Sequence, residues 1–204
     1  KYMKQVWFAN GIHHHYSTDK FVPEFSQEFF AEQVKTLPAD KLPLNEGETA
    51  EQMIETLSKV IFDPAYMQKR VNQADGQDLV LTSANNLYEG VTQKEVEDYY
   101  RSIKDVNDST PISYGLNAKV IKVDGKVQEQ QYKIDGLYGA AIEKIVYYLN
   151  KAKEYAESDK QKAYITALVD YYTTGDLRKF DEYSILRAED TDCTGDFANG
   201  ILQS

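Results

Sequence analysis

The chain has 204 residues, 42% hydrophobic and 27% charged. That is enough apolar material for one sizeable domain or two small ones, and disorder is not the default. Thirty-three Asp and Glu against 23 Lys and Arg leave a net charge of −10, which argues against a nucleic-acid or anionic-membrane surface, since both need clustered positive charge.

The first residue is Lys1, and no basic-then-apolar leader follows, so a portion of a longer chain is expected. Residues 1–24 read as an extended or loop segment, with a turn at Asn10-Gly11 and then a histidine cluster. Residues 25–110 read as helical. Ser26 can cap a helix carrying Phe29, Phe30, Val34 and Leu37, which Pro38 ends. Thr49-Ala50-Glu51-Gln52 is a capping-box pattern ahead of Met53, Leu57, Val60 and Ile61. A shorter helix is expected around 65–74, and residues 79–90 are loop-like. Thr92-Gln93-Lys94-Glu95 is a second capping box, opening a helix to about 107.

Residues 114–134 carry the strand signal: Val120, Ile121 and Val123, then Asp124-Gly125, then Val127, Tyr132 and Ile134. A three-residue loop, Asp124-Gly125-Lys126, sets Leu116 opposite Ile134 and Ala118 opposite Tyr132. It is preferred over a two-residue turn because it pairs like with like. Residues 135–189 are helical again. Leu137, Ala141, Ile145, Leu149, Ala152 and Ala156 form one stripe, Ser158-Asp159-Lys160-Gln161 a third capping box, and Asp176 a cap after Gly175. Residues 190–204 lose their period and read as an irregular tail. The fold class is α+β, predominantly helical with one antiparallel β-hairpin, in a single domain or lobe fragment over 1–204.

Candidate chemistry is sparse. The three histidines are adjacent, at His13, His14 and His15, so no pair at i and i+4 can reach one metal ion from one helix face. In an extended run His13 and His15 would point one way and His14 the other. The favoured reading packs one or two of these rings beside aromatics, with a substrate-cleft role between that and a metal site. Glu28, Glu32, Glu95, Glu97 and Asp98 read as solvated helix faces. Asp190, Asp192 and Asp196 lack the glycine and final glutamate of an EF-hand loop. Cys193 is the single cysteine, a weak nucleophile candidate with no histidine near it in sequence. The tyrosine pairs at 99–100, 147–148 and 171–172 read as half-buried helix faces. No catalytic residue and no metal ligand is assigned from the residues themselves.

Two stretches resemble the dipeptidyl peptidase III family of zinc metallopeptidases in its bacterial form. One is Asn10-Gly11-Ile12-His13-His14-His15-Tyr16-Ser17, running into Asp19-Lys20-Phe21-Val22-Pro23. The other is Tyr171-Tyr172-Thr173-Thr174-Gly175-Asp176-Leu177, then Phe180-Asp181-Glu182-Tyr183-Ser184-Ile185, Asp190-Thr191-Asp192, Asp196-Phe197 and Asn199-Gly200. The resemblance implies part of the non-zinc lobe of a two-lobed enzyme that releases dipeptides from the N-terminus of oligopeptides. It also implies that zinc is held elsewhere, by a helix reading H-E-x-x-G-H or H-E-x-x-x-G-H and a glutamate from an E-E-x-R-A-type helix. Neither motif is present here, so no cofactor is expected in this chain.

The resemblance further implies a substrate-binding glutamate three residues after the Asn-Gly, where this sequence has Gln203. A neutral amide there loses the charge-assisted part of a bond to a free amino terminus, of order 1–2 kcal/mol. The tyrosine expected two residues later has no counterpart. Gln203, Asn199, His13 and His15 are the candidate substrate-binding residues. The expectation is a portion or truncated relative of a zinc-dependent dipeptidyl peptidase, inert alone and cytoplasmic. Its partners would be an oligopeptide or the missing zinc lobe, and self-association would follow from a bared apolar face. The alternative is a non-catalytic peptide-binding or interaction module.

Overall fold

Five helices start at a short polar side chain that accepts from an otherwise orphaned backbone N–H. Ser26 Oγ accepts from Phe29 N at 3.1 Å. Thr49 and Thr92 complete reciprocal capping boxes with Gln52 and Glu95. Ser158 Oγ accepts from Gln161 N at 2.9 Å, and Asp176 Oδ1 from Arg178 N at 2.9 Å. The third box is only half made. Gln161 Oε1 accepts from Glu157 N at 2.6 Å, and its Nε2 donates to the Gly195 carbonyl at 2.8 Å.

In chain order the helices are α1 (Tyr2–Phe8), α2 (Gln27–Lys35), α3 (Ala50–Phe62), α4 (Gln93–Ile103), α5 (Gly139–Ala152), α6 (Asp159–Thr174) and α7 (Leu177–Glu189). The strands are β1 (Tyr88–Glu89), β2 (Ala118–Val123) and β3 (Lys126–Gln131). The computed structural model describes residues 1–199. Where the sequence reads as one domain or lobe fragment, the structure divides into two compact units, residues 1–85 and residues 86 onward.

In the first unit α2 packs on α3, with Met53 and Ile54 buried and Phe25 edge-on to Phe62 at 5.7 Å. Residues 2–8 form α1 where an extended piece was expected. Val6, Trp7 and Phe8 are consecutive, and so short an apolar run has no period to separate strand from helix. The helix expected around 65–74 does not form. Asp63 Oδ1 takes the N–H groups of Ala65 and Tyr66, at 2.9 and 3.3 Å. Lys20 Nζ takes the carbonyls of Asp63 and Tyr66, at 2.7 and 2.8 Å. Met67 at φ 52° breaks a helical run, Arg70 N donates to Thr18 O and Lys69 O accepts from Ala84 N, so no helix propagates here.

In the second unit α6 is the central element, packed against both α5 and α7. Tyr164, Ile165, Ala167, Leu168, Val169, Tyr171 and Tyr172 are all buried on it, more of its circumference than an amphipathic helix covers. Ile142 and Leu149 of α5, and Leu177 and Tyr183 of α7, complete this core. Each such aliphatic side chain contributes roughly 1.5–3 kcal/mol by leaving water.

The sheet order is β1-β2-β3, with β1 parallel to β2 and β2 antiparallel to β3. Val123 pairs with Lys126 and Ala118 with Gln131, so the turn has two residues and the three-residue loop does not occur. Asp124 at φ 50° and Gly125 at φ 76° form the turn whose twist matches the strands. The burial that favoured the other register is not realised, because Leu116 stays 55% exposed. Strand β1 went unseen in the sequence because two residues carry no alternation.

The C-terminus of α6 is where sheet and helices join. Its last carbonyls have no partner within the helix. Ile134 N donates to Tyr172 O at 2.9 Å, and Lys133 Nζ to Thr174 O at 3.3 Å. Asn117 Nδ2, itself buried, donates to Gly175 O at 3.0 Å, and Gln131 Nε2 to the same oxygen at 3.4 Å. Gly175 holds φ at 76°, and a Cβ there would lie 2.6 Å from Gln131 Oε1. Gly175→Ala is therefore expected to destabilise the second unit by more than the ~1–2 kcal/mol of a left-handed L-residue alone. Gly125→Ala shares the positive φ but has open space. It should lose only the backbone part, and urea titrations of the two variants compare them directly.

Candidate functional site

A cavity of about 340 Å³ opens in the second unit where β2, α6 and α7 meet. Tyr132, Tyr171, Tyr172 and Phe180 give it an aromatic wall, Leu116 lies on its exposed side, and Asn199 contributes a carboxamide. The rings are held by one another. Tyr171 lies 5.1 Å from both Tyr172 and Phe180, centroid to centroid, within the range where aromatic pairs add to area burial. Burial raises the Tyr171 pKa and, with lesser contributions from Tyr171 and Tyr183, pushes Tyr172 up to about 12. Both phenols therefore stay protonated donors at neutral pH. The Tyr172 hydroxyl donates to Asn199 Oδ1 at 2.7 Å.

Asn199 reaches the cavity because the irregular segment before it is pinned. Glu157, at the head of α6, accepts from Thr194 N at 2.7 Å and Gly195 N at 3.2 Å. Arg187 grips Asp196 with two parallel bonds, Nε at 2.9 Å and Nη2 at 2.5 Å. Phe197 packs on buried Tyr164 with ring centroids 5.9 Å apart. The bond to Thr194 N holds the Glu157 carboxyl below its ordinary value, and the Arg187 guanidinium does the same for Asp196. Cys193 is half-buried in this segment. Its Sγ donates to the Asp190 carbonyl at 3.7 Å; burial first, then the Asp190 side chain, raises its pKa and leaves the thiol protonated.

The candidate residues fall in different places. His13 is buried, and its Nε2 lies 2.7 Å from the Met67 carbonyl. His15 is exposed, edge-on to Tyr16 at 5.1 Å, and its carbonyl accepts from Arg70 Nη2 at 3.2 Å. The alternation of an extended run does not hold because the chain turns here, with Thr18 N bonded to His14 O at 3.0 Å and Thr18 at φ 61°. Asn199 lines the cavity, and Gln203 lies outside the described residues.

Zinc, which the family resemblance implies elsewhere in the enzyme, does not fit the residues described here. His13 Nε2 is engaged by a carbonyl, and His14 Nδ1 accepts from Tyr16 N and Ser17 N. Among the described residues no group of three His, Cys, Asp or Glu side chains gathers to hold a metal ion. No helix among them is long and apolar enough to cross a membrane. The sequence signal for Tyr172 was its place in a tyrosine pair, read as a helix face. Asn117 and Glu157 had no signal, because their partners lie 58 and 37 residues along the chain, and Arg187 had none because its partner, nine residues on, lies in a stretch without periodicity.

Residues 80–194 match the model of peptidase family M49, which covers more than half of the chain. No curated protein matches. Among solved structures the chain is similar to dipeptidyl peptidase III from Caldithrix abyssi, at 17% identity and a TM-score of 0.41. The likeness covers 82% of this chain and 29% of that one, so the chain spans under a third of that protein's length.

The anchoring of 194–199 carries a pH dependence. Both carboxyls have folded pKa values below their ordinary 4.5 and 3.8. Their contribution is thus complete above about pH 5 and is lost as pH falls through the depressed folded values. Amide-proton shifts of Thr194 and Gly195, followed by NMR from pH 7 to pH 2, should hold steady to about pH 5 and move only below it.

Proposed function

Because the chain belongs to peptidase family M49, the dipeptidyl peptidase III family, we propose that it is a portion or truncated relative of such a zinc peptidase, supplying the peptide-holding side and inert alone. The observation that carries this reading is the aromatic cavity with Asn199 fixed in its wall. A peptide side chain of aromatic or large apolar type would enter among Tyr132, Tyr171 and Phe180. The Asn199 carboxamide would bond the peptide backbone beside it. Among the described residues the lining carries no formal charge, so the selection they supply rests on apolar fit and on hydrogen bonds.

Hydrolysis needs an activated water, and the zinc that supplies it in the family would come from helices on a partner lobe. This chain's own residues bind and orient, and no step of bond cleavage is assigned to them. A cytoplasmic location belongs to the same proposal, and the free thiol of Cys193 is compatible with it.

Two measurements test the reading. Metal analysis and a dipeptidyl-arylamide assay on the purified chain should show neither stoichiometric zinc nor turnover, and chelator-sensitive turnover would overturn the inert part. Calorimetry with the tripeptide Ala-Phe-Ala should show saturable binding that falls several-fold when the aromatic residue is replaced by glycine. Absence of binding to either peptide would overturn the peptide-holding part.

A further inference from the structure

We propose that Asn117 is a specificity-determining residue of this cavity: its Oδ1 accepts from a donor at the tip of an entering aromatic side chain, so that a phenol is taken in preference to a plain phenyl ring. The inference rests on the peptide-holding reading above and narrows the side-chain class that reading leaves broad. Asn117 lines the cavity and is 3% exposed, whereas Leu87 and Leu116, on the same lining, are 39% and 55% exposed. Exposure thus rises from a floor at Asn117 to a rim at the two leucines. A side chain entering past the rim brings its tip toward the carboxamide.

That carboxamide has one orientation. Its Nδ2 donates to the Gly175 carbonyl at 3.0 Å. A backbone carbonyl can only accept, so the nitrogen faces Gly175 and the oxygen is left for another partner. The backbone of the residue is held as well, since Tyr132 N donates to Asn117 O at 2.8 Å. Among the described residues no group donates to Asn117 Oδ1. Nor does that oxygen belong with the side-chain oxygens of Tyr2, Ser58, Tyr164 and Asp190, which are sealed from solvent without a partner. Asn117 Oδ1 is therefore reachable, and for so buried a residue the way to it is the cavity it lines. A phenyl ring seated there displaces solvent from the oxygen and returns no bond. A phenol restores one, among Tyr132, Tyr171 and Tyr172, where weak competition from water strengthens it. An ionised carboxylate tip meets oxygen against oxygen and is disfavoured.

Calorimetry on the intact chain compares Ala-Tyr-Ala, Ala-Phe-Ala and the same tripeptide with para-fluorophenylalanine, whose fluorine is close to a hydroxyl in size but cannot donate. The tyrosine peptide should bind at least about fivefold more tightly than the other two, a gain in the range of one hydrogen bond. In Asn117→Ala the loss of the Gly175 bond weakens all three alike, and the tyrosine preference should shrink to less than about twofold. The NMR signal of the Asn117 side-chain carbonyl carbon, followed in the wild type, should move further with the tyrosine peptide than with the fluorinated one. This locates the bond whether or not the variant folds. Equal affinity for the tyrosine and fluorinated peptides, equal movement of the carbonyl signal, or a preference that survives in Asn117→Ala would overturn the role of Asn117 and leave peptide holding intact. A wild type that binds none of the three would overturn the peptide-holding reading and this role with it.

Discussion

The second unit depends on how the end of one buried helix satisfies its carbonyls. Helix α6 buries eight of its sixteen residues, and buried Gly175 follows its end, so not all of its unpaired C-terminal oxygens can turn to water. They are met instead by Ile134 N, Lys133 Nζ, Asn117 Nδ2 and Gln131 Nε2, all from the β2–β3 region and the stretch just after it. One set of bonds therefore docks the sheet, sets the left-handed turn at Gly175 and starts α7 at Asp176. The cavity is the space these constraints leave, with Tyr171 and Tyr172 projecting from the last turns of α6. Hydrophobic burial makes α6 stable, and backbone hydrogen bonding decides where its neighbours sit.

A different kind of interaction places Asn199. Glu157, Arg187 and Asp196 are exposed charges whose bonds compete with water, so each is individually modest. They act together along one short stretch, and Phe197 on Tyr164 adds apolar burial to them. The family match ends at residue 194. Glu157 and Arg187 lie within it, whereas Asp196, Phe197 and Asn199 follow it. The cavity wall that carries Asn199 is thus assembled by a matched scaffold holding the residues that come next.

Local chemistry was legible in the sequence, and long-range chemistry was not. The caps at Ser26, Thr49, Thr92, Ser158 and Asp176 were readable because donor and acceptor lie within a few residues. The hairpin was readable from Asp124-Gly125, but its register was not, because like-with-like burial was credited to Leu116, a residue that stays at the surface. Residues 190–199 looked shapeless since their partners lie 37 residues back at Glu157 and 34 back at Gln161. Tyr172 was visible as an aromatic on a helix. Its bond to Asn199 spans 27 residues and has no signature in periodicity.

The distribution of chromophores gives the two units separate optical voices. The sole indole, Trp7, stands 78% exposed on α1 in the first unit, where its emission reports a wet, polar surrounding. Tyr164, Tyr171, Tyr172 and Tyr183 are locked against neighbouring rings in the core of the second unit. Their near-ultraviolet dichroism registers the asymmetric packing of that core. Loosening of one unit can accordingly be followed by a signal that the other contributes little to.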